Sequence, residues 1–314
     1  MRRRIKAGAD DAGRTVQRLL HDRLEISNAE AKGLIGSGCV RRNGRVTRRP
    51  DDRVEPGDAL EVEAVAGKKY AGSAPKTREG EGYRVIHEDD DLVVIEKDAG
   101  IVTIPAGAAA GDSLHELLLA AYRKRGHKRP QLHVVHRIDR FTSGLVVFAR
   151  SHPAHLDLKA QFKARTPERV YLAIAEGRVE PERGRLVHSL AEHAKSLKVH
   201  VVPDGPGGRL ATLSYRVVER FDTATLLEVR LETGRRNQIR VQFAAIGHPL
   251  IGDVTYGEPS PLLPRVALHA HRLALTAPRR PERLRFESPL PEDLRRLLRT
   301  LRAPHAEKRT RTPV

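Results

Sequence analysis

Two segments about a hundred residues apart concentrate the side chains able to do chemistry. The first, His136-Arg137-Ile138-Asp139-Arg140-Phe141-Thr142-Ser143-Gly144-Leu145, sets one acid among basic residues between two apolar stretches, Leu132 to Val135 and Leu145 to Ala149. Asp139 thus sits on a connection anchored at both ends, the way a scaffold commonly presents a functional side chain. The same spacing also suits a turn in which Asp139 only accepts backbone hydrogen bonds. In the second segment, Thr233-Gly234-Arg235-Arg236-Asn237-Gln238-Ile239-Arg240, the glycine precedes a helical run with Ile239, Phe243 and Ile246 at i, i+4 and i+7. Arg236 and Arg240 are then expected on a neighbouring face near the helix N-terminus, where free N–H groups and the dipole favour anions. An arginine there binds phosphate or holds a carboxylate in bidentate fashion, unless it belongs to a plain solvated stripe.

The net charge of +17 and a pI near 10.4 point to a polyanionic partner, because neutralising phosphates releases condensed counterions. If the fold joins the two segments, an ionised Asp139 faces a nucleic-acid base among arginines. A membrane surface is the weaker choice, since runs such as Leu117 to Ala121 fall far short of the roughly 18 residues a bilayer span needs. Basic Met1 to Lys6 is followed by no hydrophobic signal stretch, so the cytoplasm is expected. A single cysteine, Cys39, excludes an intrachain disulfide and a thiolate-rich zinc site. His269 and His271 lack a nearby third ligand, and neither metal nor cofactor is expected. With 6 Tyr, 6 Phe and no Trp, recognition should rest on arginine and shape rather than on aromatic platforms.

The elements that must position these residues fall into two groups. Val16, Leu19, Leu20 and Leu24 have helical spacing, and Ser27 with Glu30 is a capping box for a second helix that Gly36 and Gly38 stop. Asn43-Gly44 marks a tight hairpin within Val40 to Val46, and Pro56-Gly57-Asp58 turns the chain into a strand from Ala59 to Val62. The first 50 residues hold 13 Lys and Arg against 5 Asp and Glu. Arg41, Arg42, Arg45, Arg48 and Arg49 cluster on and after the hairpin as a phosphate-binding footprint. A linker rich in Gly, Lys, Ser and Pro follows over residues 67 to 82. From Tyr83 on, short β-rich runs alternate with turns and a few helices, among them one capped by Ser113 and Glu116 that ends near Gly126. Thr225, Leu227, Val229 and Leu231 read as one face of a half-buried antiparallel strand. The mixture predicts an α+β domain on a mainly antiparallel sheet.

Taken together, the chemical segments resemble the motifs of the RluA-type pseudouridine synthases. His136-Arg137-Ile138-Asp139 with Thr142-Ser143-Gly144-Leu145 is similar to the catalytic motif of that family. Arg169-Val170-Tyr171-Leu172-Ala173 with Gly177 resembles its tyrosine motif, and Thr233-Gly234-Arg235 with Gln238-Ile239-Arg240 its arginine motif. Glu88 to Leu92 with Lys97, Gly247-His248-Pro249 with Gly252-Asp253 and Tyr256, and Leu268-His269-Ala270 extend the likeness over residues 83 to 298. Asn237 and Asp98 depart from the pattern, standing where His and Pro are usual. The N-terminal helices and hairpin resemble the RNA-binding domain named for small-subunit ribosomal protein S-four.

The resemblance implies an RNA-binding domain over residues 12–66 and a catalytic domain of pseudouridine synthase fold at 83–300, while composition sets the linker at 67–82 and a basic, disordered tail at 301–314. It implies isomerisation of uridine in RNA without a cofactor, with large-subunit ribosomal RNA the first expectation and transfer RNA the alternative; a monomer is expected, though no residue pattern sets the oligomeric state. Asp139 would act on the ribose or the base, Arg240 would keep it ionised, and Tyr171 would pack on the target base. Arg137 would fill the vacated stack or hold a phosphate. His136, Arg140, Arg235, Arg236 and Asn237, with Arg41, Arg42 and Arg45, complete the expected RNA contacts. A binding-only ribosome-assembly factor would need none of Asp139, Tyr171 and Arg240 together, and a DNA-binding regulator lacks base-reading side chains on its second helix.

Overall fold

The computed structural model describes residues 2–26, 28–36, 38–47, 52–63, 79–80, 82–105, 113–193 and 198–303. The chain divides into two compact units, residues 1–78 and 79–314. In the first, β1 (Arg2–Lys6), α1 (Val16–Leu24), α2 (Asn28–Gly36), β2 (Val40–Arg42), β3 (Arg45–Val46) and β4 (Ala59–Glu63) follow in order. The strands make an antiparallel sheet in the order β1-β4-β2-β3. Thr15 caps α1 by accepting from the Arg18 amide at 3.2 Å, and the apolar stripe of the helix buries Val16, Leu19 and Leu20. Asn43 and Gly44 take φ of +49° and +79°, the left-handed pair that a two-residue hairpin demands. Ser27, expected to cap α2, lies outside the described residues, as do Arg48 and Arg49. Strand β1 precedes the stretch that the sequence assigns to this module. Its lone apolar residue, Ile5, gives no periodic signal, and only pairing with β4 from Arg2↔Glu63 to Lys6↔Ala59 makes it a strand.

The second unit comprises β5 (Glu79–Gly80), β6 (Tyr83–Glu88), β7 (Leu92–Lys97), α3 (Leu114–Lys124), β8 (His133–Val134), β9 (Ser143–Ala149), α4 (His152–Ala164), β10 (Glu168–Glu176) and β11 (Arg183–Glu192). It continues with β12 (Val199–Val202), β13 (Arg209–Arg220), β14 (Ala224–Leu231), α5 (Gln238–Ala245), β15 (Leu268–Thr276), β16 (Arg283–Glu287) and α6 (Glu292–Arg302). Strands β5 to β16 form one sheet of 12 strands, ordered β12-β11-β13-β14-β10-β15-β9-β7-β6-β5, with β16 beside β15 and β8 beside β9. All pairings are antiparallel except β9 with β15, so the unit is α+β on a mainly antiparallel sheet, as the sequence predicts. Most of the expected linker and residues 304–314 lie outside the described residues, whereas Glu79 and Gly80 already pair with β6.

Strand β14 differs from the half-buried strand its alternation suggests. Ala224 to Val229 are all buried, because Leu227 and Val229 join the main core while Ala224 and Leu226 meet Leu294, Leu297 and Leu298 of α6. Glu228 can lie in that strand because Arg216 and Arg272 pair with it. Among the described residues, no helix is long and apolar enough to cross a membrane.

The chain comes together at the centre of the sheet. Gly144, the second residue of β9, takes φ +108°, and a Cβ placed there would lie 2.3 Å from the Ala270 carbonyl oxygen of β15. Glycine therefore permits the one parallel contact, His269↔Ser143 and Ala270↔Gly144. The Ser143 hydroxyl hydrogen-bonds His269 Nδ1 at 2.9 Å, and Nε2 of the same ring meets the Ser288 carbonyl at 3.1 Å. The ring thus ties β15 to the start of β9 and to the residue that follows β16.

Candidate active site

The segment entering β9 is fixed from beneath. Lys97, fully buried at the end of β7, donates to the carbonyls of Asp98, Ile101 and Arg140 at 2.7, 2.8 and 3.1 Å. Burial pulls its pKa down to about 7, against the opposing charges of Asp139 and Asp98. The Thr103 hydroxyl donates to the Ile138 carbonyl at 2.8 Å and accepts from the Ile138 amide at 3.2 Å. Arg265, bidentate on Asp293, also reaches the Phe141 carbonyl at 3.2 Å. The Thr142 amide closes a turn onto the Asp139 carbonyl at 3.1 Å. These bonds hold main chain on both sides of Asp139 and leave its carboxylate to face a cavity.

The carboxylate lines a cavity of about 750 Å³, whose walls come from 135–142, α4, β10 and the segment 231–240. Eight cationic side chains line it (Arg137, Lys159, Lys163, Arg165, Arg169, Arg235, Arg236 and Arg240), and Asp139 is the carboxylate among the lining residues. Tyr171 enters from β10 beside a register shift between Val170 and Tyr171 in the pairing with β15, the kind of irregularity that re-aims a side chain. Burial pushes its phenol up to about 12, so it is protonated near neutral pH.

Arg240 stands in the first turn of α5. Its Nε and Nη2 donate to the two oxygens of Asp253, each at 2.6 Å, and its Nη1 lies 3.6 Å from Asp139 Oδ2. Asp253 has a fully buried side chain, Arg240 is 13% exposed and Asp139 22%. The guanidinium is therefore seated by Asp253 and offers Asp139 one remaining corner. Burial raises the Asp139 pKa above its ordinary value, against the opposing charges of Arg240 and Arg137. The resemblance has Arg240 keeping Asp139 ionised with burial pushing the other way; both effects act here, and the two shortest bonds of Arg240 go to Asp253.

The chain is similar to known proteins. Residues 91–245 match the family model described as RNA pseudouridylate synthase. The chain is 40% identical over 292 residues to the ribosomal large subunit pseudouridine synthase D of Nitrosomonas europaea, covering 89% of this chain and 82% of that protein. It is 36% identical to the protein of that name from Pseudomonas aeruginosa, with 88% of each covered. The chain belongs to the RluA-type RNA pseudouridine synthases. A solved structure named Human RNA Pseudouridylate Synthase Domain Containing 4 shares the fold, with a TM-score of 0.58 at 24% identity over 69% of this chain and 92% of that one.

For an RNA pseudouridine synthase, the residues singled out by sequence fall into three groups. Asp139, Tyr171, Arg240, Arg137, His136, Arg235, Arg236 and Asn237 all line the cavity. Arg137 is exposed at its rim. Several of the others, however, are engaged within the protein. His136 accepts from the Val147 amide at 3.1 Å, stacks on Phe162 with ring centroids 4.7 Å apart and is held neutral by burial, its pKa pulled down to about 3. Its ring nitrogen serves the loop. Arg235 Nε donates to the Leu210 carbonyl at 3.1 Å, and Arg236 pairs with Glu192. Arg236 also precedes α5 rather than lying on it, since Asn237, at φ +52°, turns the chain just before the helix begins.

Asn237 accepts from Arg240 Nη1 and donates to the Tyr256 hydroxyl, both at 3.1 Å. The Tyr256 ring lies under the Arg240 guanidinium at 5.1 Å. The unusual residue therefore props the arginine instead of titrating. Arg140 is exposed, with Nε on the Gly100 carbonyl at 2.8 Å. In the separate first unit, Arg41 and Arg45 are exposed, but Arg42 is spent on Asp58 at 2.8 Å.

Sequence reasoning quoted Asp253 and Lys97 without a task, and overlooked Lys159, Lys163, Arg165 and Arg169 as cavity residues. Helix α4 carried a readable signal. Ser151 caps it at 3.3 Å, Pro153 follows in its first turn, and Lys159 and Lys163 are four residues apart on one face.

Proposed function

We propose that this synthase converts uridine to pseudouridine in large-subunit ribosomal RNA, acting as a monomer in the cytoplasm. The RNA class follows from the names of the two bacterial relatives, which match nearly the whole chain. In the reaction the bond between uracil N1 and ribose C1′ breaks, the uracil turns, and C5 bonds to C1′ as its proton leaves and N1 gains one.

The observation that carries the reading is an acid, Asp139, facing a cationic cavity with Arg240 Nη1 at 3.6 Å. A stacked uridine cannot reach a carboxylate set in a cavity, so the nucleotide is everted at a cost of a few kcal/mol. Asp139 acts ionised, on the ribose or on the ring. Asp253 and Asn237 fix the guanidinium, which then stabilises the carboxylate without a tight ion pair that would blunt it. Tyr171, protonated, packs on the base, a role that suits a neutral phenol better than proton abstraction by a phenolate. Arg137, exposed at the rim, inserts where the uridine has left. The first unit grips RNA through Arg41, Arg45 and neighbouring basic side chains in the manner of an S-four-type domain.

Carbodiimide mapping of cellular RNA tests this in a deletion strain complemented with wild type or Asp139→Asn. A uridine in large-subunit RNA modified only with wild type is expected. A site in transfer RNA would overturn the target, and identical maps from both strains would overturn the role of Asp139.

A further inference from the structure

Arg169 is a half-buried guanidinium that, among the described residues, has neither a hydrogen bond nor a carboxylate within salt-bridge distance. Its Nε is sealed from solvent without a partner. Arg240 and Arg265, in contrast, are each bidentate on an aspartate. Arginine cannot shed its proton to escape the penalty of burial, and an uncompensated cation in such a place costs stability.

The surroundings give it shape but no charge. The guanidinium lies 5.7 Å over the Phe162 ring, whose stacking partner is His136. Tyr171 follows two residues on, and neither that protonated phenol nor the neutral His136 ring can neutralise it. The arginine motif closes against it from the other side. A Cβ built on Gly234 would lie 2.5 Å from Arg169 Nη1, so the glycine there leaves room for this side chain. Gly234 has no left-handed φ, so that clearance is what its missing Cβ visibly supplies.

We propose that Arg169 binds a phosphodiester flanking the everted uridine, its Nη groups taking the non-bridging oxygens and anchoring the nucleotide by its backbone while the base reaches Asp139. A planar fork of donors matches a phosphate, and a unit positive charge calls for a unit negative one, which a uracil carbonyl does not supply. The proposal rests on the function given above and adds to it a specific anchor, paired with a glycine in another motif.

The test uses an RNA fragment carrying the mapped uridine, natural or with a neutral methylphosphonate at either flanking phosphate. Conversion of the natural fragment by wild type is measured first, so that failure of the underlying reading shows separately as absence of pseudouridine. With wild type, one of the two neutral linkages is expected to weaken binding by about tenfold to a hundredfold, the range for one charge-assisted contact. Arg169→Gln should weaken binding of natural RNA by a similar factor and lower the slope of log affinity against log salt by about 0.7–1. It should lose nothing more from that neutral linkage, since both changes delete one interaction. Gly234→Ala, which crowds Nη1, should show a smaller loss of the same pattern, and carries the test if Arg169→Gln melts early. Losses that simply multiply would overturn the proposal. So would an Arg169→Gln enzyme that binds normally and only converts slowly, the behaviour of a guanidinium on a uracil carbonyl.

Discussion

The two sides of the cavity differ in where their polar groups find partners. On the side of β9, Lys97, Thr103 and Arg265 bond to the carbonyls of Asp98, Ile101, Arg140, Ile138 and Phe141, and the loop bearing Asp139 is tied wholly within the protein. On the side of α4 and β10, Lys159, Lys163, Arg165 and Arg169 have no carboxylate within salt-bridge distance among the described residues. The satisfied wall fixes geometry, because buried polar groups left unmet are costly. On the other wall Lys159, Lys163 and Arg165 are exposed to solvent, and Arg169 alone of the four keeps a buried nitrogen without a partner. Arg240 bridges these styles, seated by Asp253 and reaching toward Asp139.

The sharpest way to break this contrast is to remove the acid. Asp139→Asn should abolish conversion to the detection limit while RNA affinity, read by filter binding, stays within a small factor. Equal loss of affinity would mean that the acid is part of the grip.

Next comes the bridge. Asp253→Asn unseats Arg240, and we expect a loss of about 10²–10³ in kcat, the scale of one misplaced electrostatic group. Arg240→Gln should add a folding defect of about 3–5 kcal/mol in urea melts, because it strands the buried Asp253 charge. Since burial raises the Asp139 pKa and Arg240 lowers it, conversion should fall as pH drops through a value above 3.8, and Arg240→Gln should move that limb still higher. A limb that stays put in kcat/KM profiles would show that the two groups are uncoupled.

A smaller effect is expected beneath the loop. Lys97→Met strips three carbonyls of their donor and should cost about 2–4 kcal/mol of stability, with activity per folded molecule reduced less than by Asp253→Asn. If it melts like wild type, the clamp is not what orders the loop. The mildest change is Asn237→His. The left-handed φ of +52° suits Asn and is tolerated by His, so loss of one prop on Arg240 should cost about 0.5–1.5 kcal/mol, at most about tenfold in kcat.

Much of this was legible before the fold. The Asn43-Gly44 hairpin, the Val16–Leu24 helix and the Ser113 capping box are local devices, set by the conformations of a few adjacent residues. Strand β1 was not legible, since one isoleucine among basic residues has no period and needs the edge of β4 to pair. The burial of both faces of β14 depended likewise on α6, which lies more than sixty residues further along the chain.

For the site the division is similar. The resemblance of the motifs around Asp139, Tyr171 and Arg240 to a known family implied the chemistry, which residue types and spacing left open, and all three line one cavity. What the sequence by itself determined was which groups this protein carries and which local turns present them. Tertiary structure decided which charges are answered: Asp253 holds Arg240, Val147 takes the His136 nitrogen, and Arg169 is left open beside Gly234. The reason is physical. Pairing and desolvation act over a few Å between groups far apart in the chain, so they exist only once the sheet has brought those groups together.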